Sequence, residues 1–330
     1  MKQITLGIVG AGRIGKLHTE NLIRIPNIRV KRIADPYIDE TWAVSHGLDW
    51  SKQPEDVFAD AEIDAVLILS PSPLHADHII QAARANKHIF CEKPIALNPE
   101  RIREALAEVS KAGVKLQIGF NRRFDPNFRR IKEDVDAGKI GQVYYIRITA
   151  RDPAPPSTEY IRDSGGMFLD MTIHDFDMVR YLSSSEVEEV FAAGAVLADR
   201  AFAEVGDVDT AITTIRLKNG ALAVIDNSRK AVYGYDQRIE VFGSKGSICA
   251  ANETHTTTML MTNEGVTTDR PLDFFLDRYQ VSFQIEVEAF LQAILEDTNP
   301  PVSGMDGLKP ILIGLAAMKS LKEGRPVKVE

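Results

Sequence analysis

Three glycines, Gly10, Gly12 and Gly15, follow the apolar run Ile4-Thr5-Leu6-Gly7-Ile8-Val9 and open a helical pattern over residues 16–25. A strand that passes into a helix through such a loop commits the chain to a layered α/β architecture, because the helix must fold back onto the strand's own sheet. Each glycine has its own reason to be there. Gly10 permits the tight turn, Gly12 lets backbone approach a ligand with no Cβ in the way, and Gly15 lets helix and strand pack closely. The free amides at the helix start favour an anion such as a pyrophosphate. Gly10, Ala11, Gly12, Arg13 and Ile14 are therefore candidate contacts for a dinucleotide.

The next strand pattern, residues 28–34, ends at Asp35, about 20 residues beyond the last glycine, where a carboxylate accepts hydrogen bonds from ribose hydroxyls. Pro36-Tyr37-Ile38-Asp39-Glu40 follows, with no Arg or Lys to receive a 2′-phosphate. NAD is the expected cofactor. A purely structural reading of Asp35, as a turn residue before Pro36, stands beside this one.

Short β-rich runs alternate with helical stretches up to about residue 120: strands at 65–69, 88–90 and 115–119, helices at 74–85 and 99–112. This predicts a Rossmann-type unit, a doubly wound parallel sheet over residues 1–121. From 122 to 330 the pattern changes to an α+β unit with a large, mainly antiparallel open sheet. Helices are expected near 126–137 and 171–182 around a strand at 143–150, with further strands after them and helices again at 282–295 and 307–321. Asn219-Gly220 and Gly243-Ser244-Lys245-Gly246 are hairpin signals.

Composition narrows the partners. A chain of 330 residues with 44% hydrophobic content can bury a full core, and a net charge of −8 argues against nucleic acid or anionic membrane as the main partner. No apolar run reaches the length of a membrane span, and the first residues lead straight into a strand, so a cytoplasmic protein is expected. The two cysteines, Cys91 and Cys249, lack metal-ligand spacing and read as small buried hydrophobes in a reducing compartment.

Chemistry is offered at two further places. In an open α/β sheet, ligands bind outside the carboxyl ends of the strands, which is where Glu92-Lys93-Pro94 and the stiff loop Ser70-Pro71-Ser72-Pro73-Leu74-His75 fall. Lys93 offers a cation to a reacting group; a solvated turn is the plain alternative. The second place is Gly165-Gly166-Met167-Phe168-Leu169-Asp170-Met171-Thr172-Ile173-His174-Asp175-Phe176-Asp177. If helical from about residue 166, Asp170 and His174 share a face, and a carboxylate beside an imidazole suits acid/base work. A satisfied surface pair and a metal site compete with that reading; no metal is expected, since the seven histidines show no second cluster with ligand spacing.

Together the glycine loop, Ser70-Pro71 with His75, Glu92-Lys93-Pro94, Gly119-Phe120-Asn121-Arg122-Arg123-Phe124, and Gly165-Gly166 leading to Asp170 and His174 resemble the Gfo/Idh/MocA oxidoreductases over nearly the whole chain. Within that family, Arg151-Asp152-Pro153-Ala154-Pro155-Pro156 and the run 170–177 look most like inositol 2-dehydrogenases. The resemblance implies NAD-dependent oxidation of a ring hydroxyl of myo-inositol, or a close isomer, to an inosose. It implies that Lys93 activates the hydroxyl, that His174 takes its proton, and that Asp170 orients His174. Ser70, Pro71, His75, Glu92, Lys93 and Asn121 would join the glycine loop and Asp35 around NAD. Substrate would meet Lys93, Asp170 and His174, with Arg123 and Asp152 and either Tyr233 or Tyr235 as further contacts. The resemblance also implies a cis peptide before Pro94 and a homotetramer formed through the open sheet face. Another polyol, aldose or anhydrosugar on the same scaffold is the nearest alternative, and a catalytically silent NAD-binding sensor is a second.

Overall fold

The computed structural model describes residues 3–330 and divides into two compact units. One comprises the chain up to Asn121 together with Phe283–Lys309, the other Arg122–Ser282 with Pro310–Glu330. A linear division at 121/122 does not capture the return of residues 283–309 to the first unit.

The first unit is built on six parallel strands: β1 Ile4–Val9, β2 Ile28–Ala34, β3 Asp49–Ser51, β4 Ala65–Ile68, β5 His88–Glu92 and β6 Leu116–Gly119. Their order, β3-β2-β1-β4-β5-β6, reverses between β1 and β4, which opens a crevice at the carboxyl ends of those two strands. β1 and β4 are buried at every position, as a sheet covered on both faces requires. The three-residue edge strand β3 is too short to leave a period in the sequence. The helix Pro99–Ala112 has the expected bounds; Asn98 caps it by accepting from Glu100 N, and Gly113 ends it in the left-handed region.

The segment 283–309 completes this core. Val287, Phe290 and Leu291 pack in one cluster with Leu6, Ile8, Leu67 and Phe90, and Ile118 N donates to the Val302 carbonyl at 3.2 Å. Gly304 and Gly307 carry no Cβ where one would run into Leu106 and Ile95 respectively.

The second unit holds a seven-stranded mixed sheet. Its strands are β7 Val143–Arg151, β8 Val187–Ala195, β9 Thr210–Leu217, β10 Leu222–Ser228, β11 Asp236–Gly243, β12 Gly246–Ala250 and, after the two-stranded β13 Met259–Thr262 and β14 Gly265–Thr268, the short β15 Val327–Lys328. The order is β12-β11-β7-β10-β9-β8-β15, and only β10 with β7 is parallel. Asn219-Gly220 joins β9 to β10, and Gly243 pairs with Gly246 across the β11–β12 turn. β9 alternates between buried Ala211, Thr213, Ile215 and Leu217 and outward Ile212, Thr214 and Arg216. The helix Ile173–Ser183 packs on β7. Cys91 lies buried in β5, where burial pushes its thiol up, but Cys249 is exposed. The expectation that both are buried is corrected by the position of Cys249 on β12, an edge strand whose alternate residues face outward.

Phe290 is 0% exposed and its ring centroid lies 6.0 Å from that of Phe90. Phe290→Ala is expected to cost about 3–5 kcal/mol of unfolding free energy in urea titrations. Val281→Ala, at a site 55% exposed, should stay within about 0.5 kcal/mol of the unaltered protein.

Candidate active site

In the first unit the glycine loop is shaped by backbone meeting backbone. Gly10 has φ +105°, and a Cβ there would run into the Leu69 carbonyl at the end of β4. A Cβ on Gly15 would collide with the Gly10 carbonyl, whereas one on Gly12 would meet nothing within 4 Å, so open space lies in front of that residue. Helix Arg13–Leu22 starts beyond Gly12, with no side chain capping its first amides. Asp35 holds the loop from the end of β2: Oδ2 accepts from Ala11 N at 2.7 Å and Oδ1 from Tyr37 N at 2.8 Å. An open cradle, free amides and a carboxylate at the next strand end fit an adenine dinucleotide.

His75 takes a part the sequence does not indicate. It is 1% exposed, its Nδ1 lies 2.8 Å from the Pro94 carbonyl oxygen, and its Nε2 lies 2.7 Å from that of Ser70. The ring thereby ties the β4 loop to the β5 loop. Burial lowers its proton affinity against the pull of those two carbonyls. The peptide between Lys93 and Pro94 is cis. Glu92 and Lys93 are half-buried at the carboxyl end of β5, and Asn121 is buried after β6. Gly119 leaves room for Glu92: a Cβ there would stand 3.0 Å from the Glu92 carboxylate.

The second unit buries its charges as bonded pairs. Gly166, at φ +73°, avoids a Cβ that would lie 2.7 Å from Asp207, whose Oδ2 accepts from Met167 N at 3.0 Å. The chain then makes a π-helical turn over Met167–Met171, with Thr172 N donating to the Met167 carbonyl five residues back at 2.9 Å, and turns α-helical only at Ile173. The straight helix expected from about residue 166 is thus corrected. Asp170 stands in the wide turn and His174 in the first α-helical turn.

Arg229, 5% exposed, sits between two carboxylates, giving Nη2 to Asp170 Oδ2 and Nη1 to Asp152 Oδ2, both at 3.0 Å. The Tyr160 hydroxyl donates to Asp170 Oδ1 at 2.8 Å. Burial raises the Asp152 carboxyl against the opposing charge of Arg229. Arg123 forks onto Asp177 at 2.8 and 2.6 Å and lies over the Tyr181 ring. Its neighbour Arg122 donates to Asp175 at 2.5 Å, and Asn227 donates to the other Asp175 oxygen at 2.9 Å. Of the two tyrosines, Tyr235 is buried edge-on to Tyr279, and burial pushes its phenol well up. Tyr233 is exposed; its hydroxyl donates to Asp236 Oδ2 at 2.5 Å and accepts from Arg151 at 2.8 Å.

Arg229, Tyr160, His18 and Glu286 escape a sequence reading. The pairing of Arg122-Arg123 with Asp175 and Asp177 had a signal, two adjacent cations in one motif and two alternate anions in another. Among the described residues, no helix is long and apolar enough to cross a membrane.

The profile described as "Oxidoreductase family, NAD-binding Rossmann fold" matches residues 4–120, and the one described as "GFO/IDH/MocA C-terminal domain" matches residues 128–249. The chain belongs to the Gfo/Idh/MocA oxidoreductase family. It is an oxidoreductase whose cofactor is NAD. It is 50% identical to the myo-inositol 2-dehydrogenase of Thermotoga maritima, covering 98% of each chain, and 43% identical to the inositol 2-dehydrogenase of Rhizobium meliloti, covering 99% of each. Among solved structures it is similar to scyllo-inositol dehydrogenase from Lactobacillus casei with bound NAD(H) and scyllo-inositol, at 32% identity and TM-score 0.92, with 99% of each chain covered.

Asp35→Asn keeps an acceptor for Ala11 N but removes the charge that excludes a 2′-phosphate. We expect NAD to bind about tenfold more weakly, a loss of ~1.4 kcal/mol, and the preference for NAD over NADP to shrink when both dissociation constants are measured.

Proposed function

We propose that this Gfo/Idh/MocA oxidoreductase oxidises a ring hydroxyl of myo-inositol, or of a close isomer, to an inosose. The observation that carries the proposal is the full-length identity to inositol 2-dehydrogenases, together with the presence here of Lys93, Asp170 and His174. NAD, when bound, supplies the hydride acceptor. The glycine loop and Asp35 hold its phosphate and ribose ends, with Ser70, Pro71, Glu92 and Asn121 further along the same sheet edge.

In this reading Lys93 hydrogen-bonds the reacting hydroxyl and stabilises charge developing on its oxygen, while His174 accepts the hydroxyl proton. Asp170 orients His174, and Arg229 and Tyr160 position Asp170 through the bonds they make to it. Asp152 is a candidate acceptor for substrate hydroxyls, held in place by Arg229. Each buried hydroxyl of a polyol needs such a partner, because one left unbonded costs affinity. Arg123 is a weaker candidate than its position in the motif suggests, since its fork is engaged by Asp177. Tyr235, with a phenol that burial keeps protonated, suits a hydroxyl donor; Tyr233 is committed to Asp236 and Arg151.

The outer face of the large sheet supports a homotetramer. Phe191, Ile212, Leu222 and Phe242 are exposed on it, beside the Arg147–Glu240 ion pair. Sedimentation should give a particle of about four 36.6 kDa chains, and Leu222→Lys should shift it to smaller species. A monomer for the unaltered chain at micromolar concentration would rule this out.

Lys93→Ala and His174→Ala should each lower kcat with myo-inositol and NAD about 10²–10⁴-fold while leaving NAD binding nearly as it was. In a panel of inositols, aldoses and anhydrosugars compared by kcat/KM, myo-inositol should lead. A lead for scyllo-inositol would change the isomer, a lead for an aldose would overturn the reading, and tight NAD binding without turnover on any of them would point to a sensor.

A further inference from the structure

Beside Glu92 and Lys93 the first unit buries a group of side chains that the proposed reaction does not use. His18, 0% exposed on the helix Arg13–Leu22, has its Nε2 3.4 Å from Glu92 Oε1 and 3.8 Å from Glu286 Oε1. Glu286, from helix Gln280–Leu295, is also 0% exposed, and among the described residues neither of its carboxyl oxygens has a hydrogen-bond partner. The donor atoms of all three residues lie within 4.8 Å of one another. Aromatic rings wall the group: Phe90 and Phe283 stand edge-on to His18 at 5.5 and 5.7 Å. Gln117 gives its amide to the Glu286 backbone carbonyl at 2.6 Å, not to the carboxyl.

Two carboxylates this close resist ionising together, because each repels the other and the fully buried one lacks solvent. Glu92 keeps 15% of its side chain exposed, so Glu286 is the member with no water to compensate it. Burial, and then the charge of Glu92, pushes the Glu286 carboxyl well up. Lys93 is the sequence neighbour of Glu92, and the Glu92 charge also acts on the Cys91 thiol and on His75, which is tied to Pro94.

We propose that Glu286 is held as a carboxylic acid, and that His18, Glu92 and Glu286 form a buried proton site whose ionisation adds a negative charge beside Glu92 and favours the cationic, oxidised nicotinamide. The inference rests on NAD lying along the carboxyl edge of the β1–β6 sheet. An added negative charge holds NAD⁺ more tightly than uncharged-ring NADH, and by reciprocity NAD⁺ makes the proton easier to lose. The hydroxyl proton of the reaction does not pass through this site. Glu286 acts through Glu92 and is a positioning residue for charge.

Infrared spectra of the nucleotide-free protein and of E286Q provide the first test. A protonated-carboxyl C=O band at neutral pH is expected in the unaltered protein and absent from E286Q. Calorimetric titration with NAD⁺ and NADH across pH provides the second. Over the range in which the acid band fades, the ratio Kd(NADH)/Kd(NAD⁺) should rise at least about threefold, a bias of ~0.65 kcal/mol, and stay level in E286Q. Absence of the acid band would overturn the proposal, as would fading of the band with the same ratio in both proteins. A divalent metal present at one per chain and lost in E286Q would also overturn it, since the site would then hold a cation instead of a proton. If neither nucleotide bound the unaltered protein, the cofactor assignment would fail instead, and the infrared result would still decide the state of Glu286.

Discussion

At the carboxyl end of β1 there is no room for side chains: Gly10 abuts the Leu69 carbonyl, and Gly15 abuts Gly10. Two backbone segments that touch this closely fix the distance between β1, β4 and the first helix. They also leave the amides beyond Gly12 facing open space instead of a packed neighbour. Asp35 then locks the loop by taking the Ala11 amide. The same feature that lets the sheet pack is the one that prepares an anion site. Because β1 lies between β2 and β4 in the sheet, any larger residue at Gly10 would move both the Asp35 end and the Ser70 end.

The second unit solves a different problem. It buries several carboxylates without letting their charge destabilise the fold. Breaking one partner out of a buried ion pair costs about 3–5 kcal/mol, and five of the acids have an arginine of their own or share one, while buried Asp209 is held by the amides of Leu197, Ala198 and Asp199. Asp175 has Arg122, Asp177 has Arg123, Asp125 has Arg278, and Asp152 and Asp170 share Arg229. Thr172 and Asn227 extend the Asp175 pair into a chain of hydrogen bonds. These bonds hold the turn from Met167 to His174 against β7 and β10, which is why a π-helical turn persists there.

Much of the first unit could be read from the order of residues, because glycines, strand ends and helix caps are local signals. The bounds of Pro99–Ala112 follow from Asn98 and Gly113, each a local cap. The hairpins at Asn219-Gly220 and Gly243–Gly246 were likewise legible from turn chemistry. What stayed hidden depends on tertiary pairing. Residues 283–309 carry an apolar helical pattern that fits either unit, and only contact with Leu6, Leu67 and Phe90 assigns it. Arg229 is one arginine after a strand, and nothing in its neighbours says that it joins Asp152 to Asp170. Cys249 was misread because burial of a small thiol was inferred from residue type, whereas an edge strand's outward side decides it.

Arg229 also sets the electrostatics of the group it joins. Two buried carboxylates left unpaired would repel each other and attract a cation. One guanidinium between Asp152 and Asp170 supplies a cation to both and holds each acid at 3.0 Å. Altering either aspartate would change more than one hydrogen bond, because the arginine would be left with one carboxylate and a different net charge. The Asp–Arg–Asp group therefore behaves as a unit, in which neither aspartate can change without altering the bonding of the other two members.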